Sequence, residues 1–286
     1  MYSDLSIYIP AYNAENTIEK CLDSVLGQKI KPVKVLVIND CSTDNTLEKL
    51  LKYEEKITII NNDKNMGVSY SMNIAIKHLK TRFIGKIDAD VELQKDWSNL
   101  LLNKIKDNDI SLIGGKMYEK YINNTFNLWR SIRLKQNWGE YDIKNPFFIF
   151  GCNNILDTTK FDSKIFYRND HEYYKTNGED IEFSKFLKKN NLNTFYQSNA
   201  VCYHLQDDDG FSLANRYWRY IFYGDGFKRR NLFKTFKNLI RQLKKTFKWT
   251  LEDIFNLNFK LIPINFLVFY YYMIIDLKFY FKNKNV

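Results

Sequence analysis

Residues 83–90 read Phe83-Ile84-Gly85-Lys86-Ile87-Asp88-Ala89-Asp90. A short, mostly apolar run ends in two aspartates with one residue between them. The run has the pattern of a buried strand. Carboxylates at i and i+2 beyond a strand end can face one hard cation together through oxygen ligands. Solvated turns carry the same Asp-x-Asp spacing, so its place in the fold decides its meaning.

Upstream, short apolar strands alternate with amphipathic helices. Leu5-Ser6-Ile7-Tyr8-Ile9 reads as the first strand. Ile18, Cys21, Leu22, Val25 and Leu26 then fall on one helical face, with Asn16 placed to cap that helix and Gly27 to end it. Strands follow at residues 33–38 and 57–60, helices at 46–53 and near 69–79. Further on, a helix is expected over 181–187 and a closing strand over 199–204, while residues 117–150 read as aromatic-rich and irregular. A β-α-β-α order predicts an α/β fold, a mostly parallel sheet flanked by helices. Ligands of such sheets bind beyond the carboxyl ends of the strands. Asn39-Asp40 and Asp88-Ala89-Asp90 both lie at such ends. A cation held there suits a diphosphate, the leaving group of a nucleotide sugar.

The chain has 286 residues, 45% hydrophobic and 16% aromatic, enough for one large domain with an appendage or for two small ones. Cys21, Cys41, Cys152 and Cys202 are widely spaced with no C-x-x-C, which argues against a zinc knuckle or a disulfide framework and for a reducing cytosolic setting. Met1-Tyr2-Ser3-Asp4 lacks the basic residues of a signal peptide. Charge is uneven. Residues 212–286 hold 15 Lys/Arg against 4 Asp/Glu, a net of +11, whereas the whole chain carries +10. Composition bias would charge both parts alike, so the tail calls for an acidic partner surface. The expected division is a catalytic domain over 1–211 and a basic helical tail over 212–286.

Several short segments fall in a specific order: Ile9-Pro10-Ala11-Tyr12-Asn13, Asn39-Asp40-Cys41-Ser42-Thr43-Asp44, Asn65-Met66-Gly67-Val68-Ser69, Asp88-Ala89-Asp90, Gly178-Glu179-Asp180 and Val201-Cys202-Tyr203-His204. Together, over roughly residues 4–205, they resemble the inverting family-2 glycosyltransferases of the GT-A fold. The resemblance implies metal-dependent transfer, with Mn²⁺ or Mg²⁺, of a sugar from a nucleotide-diphosphate donor, a UDP-sugar favoured, to a lipid-linked or cell-surface glycan.

For the donor, Pro10 is expected to stop the first strand and leave Tyr12 at its mouth, where the ring stacks on a nucleobase or else joins the core. Asp40 can accept the N–H of a uracil-like base or cap a helix, and Asp44 suits the cap better. Asn65 and Gly67 make a tight turn that brings backbone toward the nucleotide. Met72 stands where the family often has Arg. The resemblance assigns Asp88 to the ribose and the cation, Asp90 to the cation, and His204 to a third metal position, a satisfied structural histidine being the other reading.

Inverting transfer is an in-line displacement that needs one base on the acceptor side. Asp180 takes that role by the resemblance, its ionised form favoured at a helix N-terminus; by itself Glu179-Asp180 reads rather as first-turn capping charge. Glu179, Gly151 and Cys152 are candidates for acceptor contact. Phe150-Gly151-Cys152-Asn153 and the polar stretch around His171 depart from the family pattern there.

In the tail, Leu232, Phe233, Phe236, Leu239, Ile240, Leu243 and Phe247 form a helical stripe, with Lys and Arg on the other face. Such a helix lies in an anionic membrane surface, or its stripe folds back onto the catalytic domain. Residues 261–275 are apolar but short for a span. The expected seat is cytoplasmic, peripheral on the inner face of the cell membrane. Two other classes compete. A nucleotidyltransferase needs a Gly-rich phosphate loop after the first strand, and Pro10-Ala11-Tyr12-Asn13 is not one. A nucleic-acid or anionic-surface binding protein using the tail leaves the acidic rim without purpose, so no nucleic-acid partner is expected.

Overall fold

The computed structural model describes residues 4–106, 109–161, 178–224 and 232–282. It divides into two compact units, one of residues 1–120 and 136–206, the other of residues 121–135 and 207–286.

The first unit is built on a nine-stranded mixed sheet. Strands β1 (Leu5–Ala11), β2 (Lys34–Asn39), β3 (Thr58–Asn61) and β4 (Phe83–Ile87) are parallel in the order β3-β2-β1-β4. Helices α1 (Ile18–Leu26), α2 (Thr46–Leu51) and α3 (Val68–His78) make the connections. β1 and β4 are buried almost throughout, as strands covered on both faces must be. Beyond β4 the direction changes. β8 (Asn153–Asp157) pairs antiparallel with both β4 and β6 (Leu112–Glu119), and β9 (Thr194–His204) runs parallel to β6. β5 (Val91–Leu93) and β7 (Ile143–Lys144) join β9 antiparallel. Helices α4 (Trp97–Lys106) and α6 (Glu179–Lys189) complete this unit.

Three local expectations change. Pro10 does not stop β1, which runs on to Ala11 with Pro10 opposite Ile38. The pairing of β1 with β4 ends at Tyr8, so no neighbour on that side calls for the proline's missing N–H. Asn16 does not cap α1; Thr17 holds the N-cap position without a side-chain bond, and the Ala14 carbonyl takes the N–H of Ile18 at 2.9 Å. β9 begins at Thr194, and a helix, α5 (Thr125–Arg133), and β7 lie within the stretch read as irregular. By contrast, the Asp44 carboxylate does accept the Thr46 N–H at 3.0 Å at the start of α2. His171 and its polar stretch lie outside the described residues.

The second unit is helical: α5 (Thr125–Arg133), α7 (Gly210–Gly224), α8 (Leu232–Phe255) and α9 (Ile262–Lys282). Its centre is the fully buried Trp129, packed edge-on against Tyr217 and Trp249. Around that aromatic core runs a polar network. The Trp129 indole donates to Asn265, Asn265 donates to Asp253, and Trp218 donates to Asp276. Arg130 and Asp208 form an ion pair buried on both sides. Pro263 sits in the first turn of α9, where its missing N–H leaves no helical bond unmade.

Candidate active site

Three clusters form beyond the carboxyl ends of β1, β2 and β4. The first is built on Asp40, which follows β2 and is 4% exposed. Its carboxylate accepts the Asn62 amide at 2.6 Å, the Met66 N–H at 2.9 Å and the Gly67 N–H at 2.7 Å. Asp40 therefore shapes the turn before α3. Gly67 has φ +87°, a backbone region that only glycine enters at no steric cost. Three accepted bonds leave Asp40 about one acceptor site of its four. Tyr12 is 49% exposed beyond β1, and Asn65 is exposed beside the turn. Met72 faces the core and is 2% exposed, so this position offers no charge to a ligand.

The second cluster surrounds Lys86. This side chain lies on β4 and is 2% exposed. Its Nζ is 3.0 Å from Asp88 Oδ1 and 3.6 Å from Glu179 Oε1. A lysine is almost never buried unless paired, and here the pair is made by carboxylates at the end of its own strand and at the start of α6. Burial alone would weaken the ammonium; the charges of Asp88 and Glu179 outweigh it and hold Lys86 protonated. Asp180, next on α6, accepts the Gly151 N–H at 3.2 Å and the Ile181 N–H at 2.7 Å. Burial, then the neighbouring Glu179 charge, push its pKa up to about 7. A Cβ at Gly151 would come within 3.1 Å of Lys86 Nζ and 3.2 Å of Glu179 Oε1, so a side chain there would crowd the cluster.

The Cys152 thiol turns into the core at 4% exposure, and its carbonyl takes the Asp88 N–H at 3.0 Å. The acceptor contact expected of Cys152 is thus not available to its side chain. Burial forces the thiol inward, and the contribution of Cys152 is to seat Asp88.

The third cluster joins Asp90, His204 and Glu119. Asp90 Oδ2 is 3.1 Å from His204 Nε2, and Glu119 Oε2 is 2.9 Å from Nδ1. The β5–β9 pairing brings these together, and the Asp90 carbonyl takes the Leu205 N–H at 2.7 Å. Burial disfavours imidazolium, but Asp90 and then Glu119 outweigh it and raise the His204 pKa to about 9.

Among the described residues, no three His, Cys, Asp or Glu side chains surround one metal-sized point. Asp90 Oδ2 and His204 Nε2 instead bond one another, with Glu119 on the far ring nitrogen. That is the arrangement in which a carboxylate orients a metal-binding imidazole. The donor set fits Mn²⁺, which accepts imidazole as well as carboxylate.

Sequence reasoning passed over Lys86 and Glu119. A charged residue inside an otherwise apolar strand was the available signal for Lys86. Glu119 carried none, since only β6–β9 pairing sets it opposite His204. Lys86→Met keeps the volume and removes the cation. Losing one partner of a buried pair typically costs about 3–5 kcal/mol. Asp88 is partly open to solvent, so a loss of about 2–3 kcal/mol is expected in urea unfolding. A loss below about 0.5 kcal/mol would show that the cation does not tie β4 to α6.

The comparisons with known proteins agree with this architecture. A family model described as Glycosyl transferase family 2 matches residues 6–174. A chondroitin synthase of Pasteurella multocida (strain Pm70) is 30% identical over 224 residues, which is 74% of this chain and 21% of the relative. The chain thus spans about a fifth of that relative's length. The UDP-Glc:alpha-D-GlcNAc-diphosphoundecaprenol beta-1,3-glucosyltransferase WfgD of Escherichia coli is 34% identical over 122 residues, 42% of this chain and 48% of WfgD. Among solved structures, S. aureus TarS 1–349 superposes with a TM-score of 0.57 at 19% identity, covering 76% of this chain and 65% of its own. A mannosyltransferase from Pyrobaculum calidifontis, solved with GDP-Man and Mn²⁺, gives 0.58 at 17% identity, covering 76% and 60%. At such identities these two structures show the shared fold.

Proposed function

This chain belongs to glycosyl transferase family 2 and is a glycosyltransferase of the GT-A fold, and from that premise we propose that it moves one sugar from a nucleotide-diphosphate donor, a UDP-sugar by preference, to a lipid-linked or cell-surface glycan, inverting the anomeric centre. The observation that carries this reading is the convergence on one sheet rim of Asp88, Glu179 and Asp180 around Lys86, beside the Asp90–His204 pair.

Each group then has one task. Pro10 and Tyr12 border the nucleobase, and the Asp40-held turn of Asn65 and Gly67 sets the floor on that side. Asp88 orients the ribose end of the donor. Asp90 and His204, with Asp88, would hold Mn²⁺ or Mg²⁺, and the ion would supply positive charge to the departing diphosphate. The acceptor hydroxyl lies against Asp180. As its oxygen bonds to the anomeric carbon, the bond from that carbon to the diphosphate breaks, and the hydroxyl proton passes to Asp180. Glu179 and the Gly151 backbone border the acceptor. Lys86 offsets the mutual repulsion of the Asp88 and Glu179 carboxylates. We place the enzyme in the cytoplasm, at the inner face of the membrane.

A panel of nucleotide-diphosphate sugars, each with and without Mn²⁺, tests this by thermal shift. One class of donor is expected to raise the midpoint only when the ion is present. Equal shifts without the ion for every donor would refute the metal assignment, and no shift with any donor would refute the donor class.

A further inference from the structure

α8 is built inside out. Its buried positions are mostly polar: Thr235, Asn238, Gln242, Thr246 and Asp253 are each 7% exposed or less. They are bonded inward, Asn238 to the Tyr272 hydroxyl at 2.6 Å and Gln242 to the Tyr217 hydroxyl at 2.6 Å. Apart from Trp249 and Leu239, its apolar residues point the other way. Phe233 is 73% exposed, Phe236 62%, Phe247 53% and Leu251 57%, with Ile240 and Leu243 between them. The spacing of three and four residues makes them one continuous stripe. A helix whose outer side faces only water has the reverse pattern.

Two further observations identify the cover. Lys234, Lys237, Arg241, Lys244 and Lys248 run along one flank of the stripe and are exposed. Over the whole helix six Lys/Arg face two Asp/Glu, a net of +4. The turn after α8 then exposes Phe255 at 84%, Leu257 at 74% and Phe259 at 57%. Leu257 has φ +57°, a left-handed conformation that is costly for a leucine. An apolar strip with a cationic flank and an apolar tip complements a surface whose outer layer is anionic and whose interior is hydrocarbon.

We propose that the exposed face of α8 and the α8–α9 turn form a monotopic docking surface for an anionic lipid bilayer, and that α9 does not cross the membrane. By length and composition residues 259–281 qualify as a span. Their polar residues argue otherwise. Asn265 and Asp276 are 0% and 2% exposed and bonded to Trp129, Asp253 and Trp218, so withdrawing α9 into lipid would break this network and strand an aspartate in hydrocarbon. The inference borrows from the proposed cellular seat only the sign of the lipid charge.

The test is flotation of the full-length chain with phosphatidylcholine vesicles, with and without phosphatidylglycerol. Wild type is expected to float with the anionic vesicles only and to be released by high salt without detergent. Phe233→Asp/Phe236→Asp and Lys237→Glu/Lys244→Glu should each weaken partitioning on the order of tenfold or more, with unchanged unfolding midpoints and unchanged nucleotide-sugar thermal shifts. Those shifts report the catalytic reading separately, so either idea can fail alone. Full binding by both variants would overturn the assignment of this face. Release only by detergent would make α9 a span. A dimer on gel filtration that Phe233→Asp/Phe236→Asp dissolves, without vesicle binding, would assign the face to a second copy of the chain.

Discussion

Asp180→Asn is expected to lower the transfer rate by about 10²–10⁴-fold, the usual contribution of a positioned general base, while donor affinity stays within about twofold. Asparagine keeps the shape, but the Gly151 and Ile181 N–H groups bond different carboxylate oxygens, so its single amide oxygen retains only one of the two bonds. It cannot take a proton. The wild-type rate should also carry an acid limb with a midpoint near pH 7, because burial and the Glu179 charge raise the Asp180 pKa to about 7. The sign follows from the role. A base works ionised, so activity rises with pH through that midpoint. Single-turnover rates measured across pH, with donor binding by calorimetry, separate the two effects. Asp180→Asn turnover near wild type would move the base elsewhere. The family match ends at residue 174, short of Asp180.

Asp90→Ala should cost about 10³-fold in turnover, several kcal/mol of charge stabilisation on the departing diphosphate. It should also remove the Mn²⁺ dependence of nucleotide-sugar binding. Asp90 is the carboxylate nearest His204 Nε2, and its loss leaves the imidazole with Glu119 alone. Glu119 remains on Nδ1 and keeps the ring oriented, so the fold is expected to survive, with an unfolding midpoint lowered by loss of the Asp90–His204 pair. The measurement is a Mn²⁺ titration of activity and of thermal stability on the same preparation. Turnover within a few-fold of wild type, or a metal response that persists, would remove Asp90 from the metal site.

The parallel half of the sheet was legible because its signals are local. Apolar runs of strand length, an intervening helical face and aspartates at strand ends need nothing beyond neighbours in sequence. Gly27 and Asp44 mark helix ends for the same reason. Local signals ran out where a residue's environment comes from a distant segment. Pro10 continues β1 because β4 has already ended beside it. Cys152 turns inward because β8 returns antiparallel next to β4. Asp40 is largely engaged by a turn that begins more than twenty residues later.

Local pattern by itself determined the α/β class, the acidic rim and the amphipathic, basic character of the tail, since each rests on periodicity or on charge, which are properties of a segment. Tertiary structure alone decided that Lys86 stands among three carboxylates, that Glu119 backs His204, and that α8 turns its polar side inward. Those outcomes depend on which surfaces other segments present. A helix with one polar and one apolar side does not specify which side is buried until the Asn, Asp and Tyr groups of its neighbours arrive to bond it.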